Sequence, residues 1–394
     1  MAIYLDYNAS APLRKEVLNV MIDAYTNIIG NADSRTHSYG TTAQKYVLEK
    51  RQQIASVLNI DPTELIFTSG STESNNMAIL GISRWAKACG KTHIITTSME
   101  HKAILEPLRH LEQEGFTVDY VNPDSTGRVS VESIISRIQE NTALVSVMYV
   151  NSETGIIQPV QELGEILKEK KVYFHIDATQ ALGKLNEQIR HTKYNMMSMT
   201  AHKIGGPQGI GAFILKRGED FKRPPIEPLM YGGPQERGYR PGTTPIALIA
   251  GFAEAVRLSE AEHDTMMRKC SAIKENFMHA IQGLDYQING DPAYCLPTTI
   301  NISFSGLDAE AAFLCLGDDF AFSNGSACNS AGHKLSYVLE AMGLDPKRRS
   351  EAIRLSWDGS TDIDFSKFVE VIRQIIVSAS RNSVLVKPGL QVRE

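Results

Sequence analysis

Short apolar runs rich in Val, Ile, Phe and Thr take turns along this chain with longer amphipathic segments. ELIFTSG precedes SNNMAILGISRWAKAC, HIITTSMEH precedes KAILEPLRHLEQEG, ALVSVMYVN precedes QELGEILKEKK, and YFHID leads on to MMSMTAH and GAFILKR. Runs this uniformly apolar suit strands covered on both faces, and the amphipathic segments between them suit the covering helices. The alternation therefore predicts an α/β domain built on a mostly parallel sheet, without distinguishing among the superfolds of that class. After about residue 255 the texture changes. A long helical stretch leads through the strand-like INISFSGL, AFSNGSAC and AIRLSW, with helices in DAEAAFLCLG, KLSYVLEAMG and DFSKFVEVIRQIIVSA. We read a large domain over 16–255 and a smaller α+β domain made of 1–15 and 256–394, a division ordinary for a chain of 394 residues.

Composition excludes several functions. Forty basic against 45 acidic residues leave a net charge of −5, which gives no reason to expect direct nucleic-acid binding. The opening MAIYLDYNASAP has no basic region before an apolar run, and no stretch reaches the roughly 18 apolar residues of a membrane span. A cytoplasmic protein with no membrane association is expected. Five cysteines, Cys89, Cys270, Cys295, Cys315 and Cys328, occur without CxxC spacing, against both a disulfide framework and a metal site. Cys89 and Cys315 lie in apolar, helix-like surroundings where a free thiol is expected to be a small buried hydrophobe. Cys328, in AFSNGSACNSAG, has no bulky neighbour and looks presented to solvent.

In open α/β sheets ligands sit beyond the carboxyl ends of the strands. Here TSGSTESNN follows ELIF, and its small hydroxyl residues and glycine at a helix start suit an anion held by backbone amides, or simply cap a helix. It lacks the GKS or GKT ending of a nucleotide loop. The other strand ends carry Glu100-His101, Asn151, Asp177 with Gln180, and Thr200-Ala201-His202-Lys203. Each alone has a structural explanation, but together they match one chemistry. A lysine among small residues and glycines can form a Schiff base with an aldehyde, and an aspartate at the end of the preceding strand can meet a pyridinium nitrogen, as in a pyridoxal-phosphate site.

On these residues, and on YLDYNASAP, EHKAIL, NSETG, HIDATQALGK, SMTAHKIGGPQGIG, GGPQERGYRPGTTP and SNGSACNS, the chain resembles the class I cysteine desulfurases of the fold-type I, class V aminotransferase superfamily. The resemblance runs from residue 4 to near residue 364. It implies a pyridoxal-phosphate transferase fold whose large domain holds a mostly parallel seven-stranded sheet, a homodimer, and conversion of L-cysteine to L-alanine with sulfur passed to an acceptor protein. Residue by residue, it implies that Lys203 forms the Schiff base and shuttles the substrate α-proton. Asp177 would pair with the ring nitrogen, His101 would stack on the ring and handle the thiol proton, and Gln180 would reach the phenolic oxygen. Ser71, Thr72, Thr200 and His202 would hold the phosphate, joined by Thr243 of the neighbouring subunit. Asn151 and Arg354 would hold the substrate carboxylate, and Cys328 would take the sulfur as a persulfide.

NADS at 31–34 stands where the family usually reads NPSS, Trp357-Asp358 replaces an apolar residue before glycine, and the ending VLVKPGLQVRE differs from the scaffold-docking tail of the housekeeping enzymes. The acceptor thus stays open among iron–sulfur assembly, tRNA thiolation and DNA phosphorothioation, the last being the role of a DndA-type member. A class V aminotransferase or selenocysteine lyase would share Lys203 and Asp177, and a catalytically silent scaffold would share the fold.

Overall fold

The computed structural model describes residues 2–323 and 335–385. Twelve strands occur in chain order among them: β1 (Ile3–Tyr4), β2 (Leu65–Thr68), β3 (His93–Thr97), β4 (Thr117–Val121), β5 (Thr142–Met148), β6 (Tyr173–Asp177), β7 (Met196–Thr200), β8 (Gly211–Leu215), β9 (Tyr286–Ile288), β10 (Thr299–Phe304), β11 (Phe320–Ala321) and β12 (Ala352–Ser356). Seven form one sheet in the order β2-β8-β7-β6-β5-β3-β4, parallel except for β8, which runs antiparallel to β2 and β7. The fold is α/β, as the alternation of patterns predicts.

Successive residues of these strands feed separate cores. Ile94, Leu144, Met196 and Phe213 face the helices Ser71–Ala88 and Lys102–Gln113, while Ile95, Val145, Met197 and Ile214 face the helices Ser38–Leu58, Val160–Lys170 and Ile246–Ala261. The two-residue period of a strand sends neighbours to opposite faces, so a strand between two helical layers must be apolar throughout. All seven residues of β5 are buried. β4, absent from the sequence reading, is one of the two edge strands and is mostly half-exposed, so TVDYV carries no continuous apolar signal.

A second core gathers around the antiparallel sheet β12-β10-β9. There Phe304, Ile353 and Leu355 meet Phe277, Phe365 and Phe368, with Phe277 and Phe365 edge to face at 5.0 Å. Each fully buried ring contributes about 2–3 kcal/mol by leaving water. Leu5 belongs to this core, and β1 pairs in parallel with β11, so the first residues of the chain are tied to its last third. Gly155 joins the two cores. Its φ is 74°, and a Cβ there would come within 2.9 Å of Thr299 on β10, so NSETG must end in glycine to turn against that strand.

Two cysteine expectations are corrected. Cys89 and Cys315 are exposed. Cys89 is the residue just past the end of its helix, and Cys315 shares the outward side of Ala309–Leu316 with Leu314, which is 86% exposed, while Ala309, Ala312 and Leu316 face the core. Apolar composition did not mean burial because a helix of eight residues can cover only one of its faces.

Candidate active site

A cavity of about 480 Å³ opens at the carboxyl ends of the strands, between the large sheet and β12. Its lining includes Ser71, Thr72, His101, Asp177, Gln180, Thr200, His202, Lys203 and Arg354. Nine of the residues expected from sequence are thus brought to one place.

One end is built for an anion. Gly70 precedes the helix Ser71–Ala88 at φ 155°, and no side chain caps that helix, so its first turn faces the cavity with the hydroxyls of Ser71 and Thr72. Gly211 makes the approach possible, since a Cβ there would lie 2.6 Å from the Gly70 Cα. Thr200 Oγ1 lies 3.0 Å from His202 Nδ1, and the Ser71 and Thr179 hydroxyls are hydrogen-bonded at 2.6 Å. Burial, with help from the Lys203 charge, pushes the His202 pKa down to about 4, so its imidazole is neutral near pH 7.

In the middle stands Asp177, the last residue of β6. Its Oδ1 accepts from the Thr179 amide at 2.9 Å and Oγ1 at 2.5 Å, and its Oδ2 accepts from Asn75 Nδ2 at 2.8 Å. The carboxylate is buried, and among the described residues no cation reaches ion-pair distance of it. Asn75 Oδ1 beside it is buried without a hydrogen-bond partner among the described residues. A buried anion calls for a counter-charge, which a pyridinium nitrogen provides.

His101 caps the helix Lys102–Gln113, its Nδ1 accepting from the Ala103 amide at 3.1 Å. That bond places the proton of the neutral ring on Nε2. Burial lowers the His101 pKa, outweighing the opposite pull of Asp177. Lys203 Nζ donates to the carbonyls of Asn8 at 2.7 Å and Ala9 at 2.6 Å, so its amine is held by the N-terminal segment.

Arg354, on β12, donates to Asp6 Oδ1 at 2.5 Å and to the Ser152 carbonyl at 3.0 Å. Glu153 lines the same side, accepts from Ser336 Oγ at 2.5 Å, and has its pKa raised by burial. Asn151 is placed differently from the sequence expectation. It is buried beside the cavity lining, with Oδ1 accepting from the Glu153 and Thr154 amides at 2.8 and 3.0 Å, so its side chain shapes the NSETG turn. Gln180 donates to the Asn8 carbonyl and accepts from Lys184, each at 2.9 Å. Thr243 is exposed and outside the cavity lining. Cys328 lies outside the described residues.

Sequence reasoning missed Asn8, Asn75, Thr179 and Glu153. Asn75 stands one helical turn beyond Ser71, and Thr179 two residues past Asp177, so both carried a spacing signal. Asn8 and Glu153 carried none that points to one site, because the two segments meet only in space, where Asn8 Nδ2 donates to the Ser152 carbonyl at 3.0 Å.

An anion cradle, a buried carboxylate lacking a cationic partner among the described residues, and a lysine amine in one cavity fit pyridoxal 5'-phosphate. The comparisons agree. Residues 3–356 match the Aminotransferase class-V family. Cysteine desulfurase IscS of Vibrio vulnificus is 39% identical over 379 residues, covering 95% of this chain and 92% of that protein. The crystal structure of DndA from Streptomyces lividans superposes with a TM-score of 0.78 at 41% identity, covering 90% of this chain and 99% of DndA. SspA in complex with cysteine gives 0.79 at 32% identity, covering 91% and 99%. With matches this long on every count, the chain belongs to the class-V aminotransferase family and groups within it with the cysteine desulfurases.

Proposed function

We propose that this protein is a pyridoxal-phosphate-dependent cysteine desulfurase that converts L-cysteine to L-alanine and passes the sulfur, as a persulfide on Cys328, to an acceptor protein. The observation that carries this reading is the meeting of Lys203, Asp177 and His101 in one cavity beside the uncapped start of Ser71–Ala88. Pyridoxal 5'-phosphate supplies an aldehyde for covalent capture of an amine and a protonated ring that draws electrons from the substrate's reacting carbons.

The chain's own residues do the rest. Ser71, Thr72, Thr200 and His202 hold the phosphate, and Asp177, fixed by Asn75 and Thr179, keeps the ring nitrogen protonated. Lys203 Nζ would hold the cofactor and move the substrate α-proton. His101, neutral with its proton on Nε2, covers the ring and relays the thiol proton. Arg354 takes the substrate carboxylate with its planar fork, which its bond to Asp6 already orients. The Cys328 thiolate attacks the substrate sulfur. The C–S bond breaks with its electron pair left on carbon, which takes a proton and becomes the methyl of alanine, while an S–S bond forms on Cys328. No external oxidant or reductant is needed.

We read the protein as a cytoplasmic homodimer. Among the described residues no helix is long and apolar enough to cross a membrane. Leu18, Ile22 and Tyr25 are 42, 50 and 65% exposed at helical spacing on Lys15–Asn27, an apolar stripe of the kind that subunits cover. Thr243, exposed and away from its own cavity, is free to complete the partner's phosphate site; a fully active monomer in sedimentation would refute this.

The deciding experiment adds cysteine without reductant and maps the extra sulfur by peptide mass spectrometry. Alanine, one sulfur on Cys328, and loss of both in Cys328→Ser with the cofactor retained are the expected results. Alanine from the serine variant at the wild-type rate, or sulfur mapped to Cys89, Cys270, Cys295 or Cys315, overturns the reading.

A further inference from the structure

Lys184 is an uncommon residue in an uncommon place. It follows β6 on the turn HIDATQALGK, four residues after Gln180, a spacing that sets both on one face of the turn. It is 9% exposed, and its Nζ donates to Gln180 Oε1 at 2.9 Å. No carboxylate lies within ion-pair distance of it among the described residues. Gln180 Nε2 in turn donates to the Asn8 carbonyl at 2.9 Å, the same oxygen that receives Lys203 Nζ at 2.7 Å. A chain of three hydrogen bonds therefore joins Lys184 to Lys203. The two lysines also line one small cavity of about 60 Å³ behind the active site.

An ammonium group can only donate. A glutamine amide has two nearly interchangeable ends, and its orientation is decided by its partners. Lys184, a donor only, and the Asn8 carbonyl, an acceptor only, therefore fix the Gln180 amide from both ends, its oxygen toward Lys184 and its NH₂ toward Asn8 and the active-site cavity, which Gln180 also lines.

We propose that Lys184 is a positioning residue of the active site: it locks the Gln180 amide with its donors toward the cofactor and places a second buried cation beside Lys203. The inference rests on Lys203 being the residue that carries the cofactor. Burial of an ammonium and a like charge nearby both favour the neutral amine, and burial, reinforced by Lys203, brings the Lys184 pKa down to about 8. The repulsion is mutual, so Lys184 also lowers the proton affinity of Lys203. Other charged or titratable groups face this pair. Arg354 adds to the repulsion and Cys270 opposes it. Tyr7, Arg14, Glu262 and Asp358 border the shared cavity, and the His263 ring meets the Lys184 carbonyl at 2.9 Å. All of them remain when Lys184 alone is changed.

The test uses the wild type, Lys184→Met and Lys184→Arg, each loaded with pyridoxal phosphate, and titrates the visible absorbance between pH 5 and 10. In Lys184→Met the midpoint should rise by about one pH unit, a tenfold gain in proton affinity of the cofactor-bound nitrogen. Lys184→Arg, a donor-only cation throughout this range, should keep the midpoint at or below the wild-type value. Should the methionine variant not fold, Lys184→Gln carries the same expectation. Competitive acetylation of the cofactor-free proteins, followed on the Lys203 peptide, should show the same upward shift independently of any bound group. Unchanged midpoints in both measurements overturn the role of Lys184. Borohydride reduction of the loaded wild type and peptide mapping keep the two readings apart: a label on Lys203 leaves the assigned function standing whatever the midpoints do, and a label on another lysine removes both.

Discussion

The two walls of the active-site cavity are built in opposite ways. The wall toward the large sheet takes Ser71, Thr72 and Asn75 from one helix start, Asp177 and Thr179 from the end of β6, and Thr200, His202 and Lys203 from the end of β7 and the turn after it. The facing wall takes Asn8 from the N-terminal segment, Glu153 from the NSETG turn, Tyr337 from a short helix and Arg354 from β12, residues drawn from three distant parts of the chain. In the first wall the polar atoms bond chiefly to one another across the strand ends of the one sheet, as in Asp177 to Thr179 and to Asn75. In the second they bond across the chain, as in Arg354 to Asp6 and Ser336 to Glu153. The difference teaches a division of labour: one wall is fixed by the sheet, and the other depends on how the second core docks against it.

That division predicts different failures. Asp177→Asn should have the largest effect, lowering kcat by about 10³-fold with cofactor affinity reduced and the cysteine KM little changed, because a neutral amide cannot sustain the charge on the ring nitrogen. Steady-state kinetics with a cofactor titration check it, and a rise in KM with kcat preserved would erase the contrast between the walls. Arg354→Lys should do the reverse, raising KM roughly tenfold or more while leaving the cofactor spectrum intact, because a point-charge ammonium loses the bidentate grip on a carboxylate. A changed spectrum would mean that this wall also shapes the cofactor site.

The smallest effect is on stability. Glu100 is fully buried beneath the first wall, bonded to Thr97 Oγ1 at 2.7 Å and the Met148 amide at 2.9 Å, and burial raises its pKa from 4.5 to about 8. The folded protein thus holds this proton more tightly than the unfolded chain. The associated stability is complete below about pH 4.5 and is lost as pH rises toward 8, by at most about 1.4 kcal/mol per unit. Glu100→Gln keeps the acceptor and removes the titration, so the fall in melting temperature between pH 5 and 8 should flatten by a few degrees in thermal scans. An unaltered slope would show that Glu100 is already ionised in the fold.

How much was legible follows the same line. Asp177, His101, Thr200 and Lys203 each sit where an apolar strand run gives way to polar residues, and that change of texture is visible in HIITTSMEH, YFHID and MMSMTAH. Asn151 drew attention for the same reason, yet its amide closes its own turn, because an Asn two residues before a free backbone N–H serves either purpose. The edge strand β4 was missed because an edge strand, half in water, need not be apolar. Cys89 and Cys315 were misjudged because local composition does not say which side of a helix meets a core.

By itself the sequence determined the α/β sheet, the strand ends that bear chemistry and the family resemblance, since periodicity and short motifs act over a few residues. Only the tertiary structure decided that Asn8 shares its carbonyl between Gln180 and Lys203, that Arg354 is held by Asp6, and that Lys184 stands behind Lys203 without a carboxylate partner among the described residues. Those contacts join segments up to 348 residues apart. They form because each segment must bury its own apolar side, and the polar groups carried along are then paired with whatever the packing brings within hydrogen-bond reach.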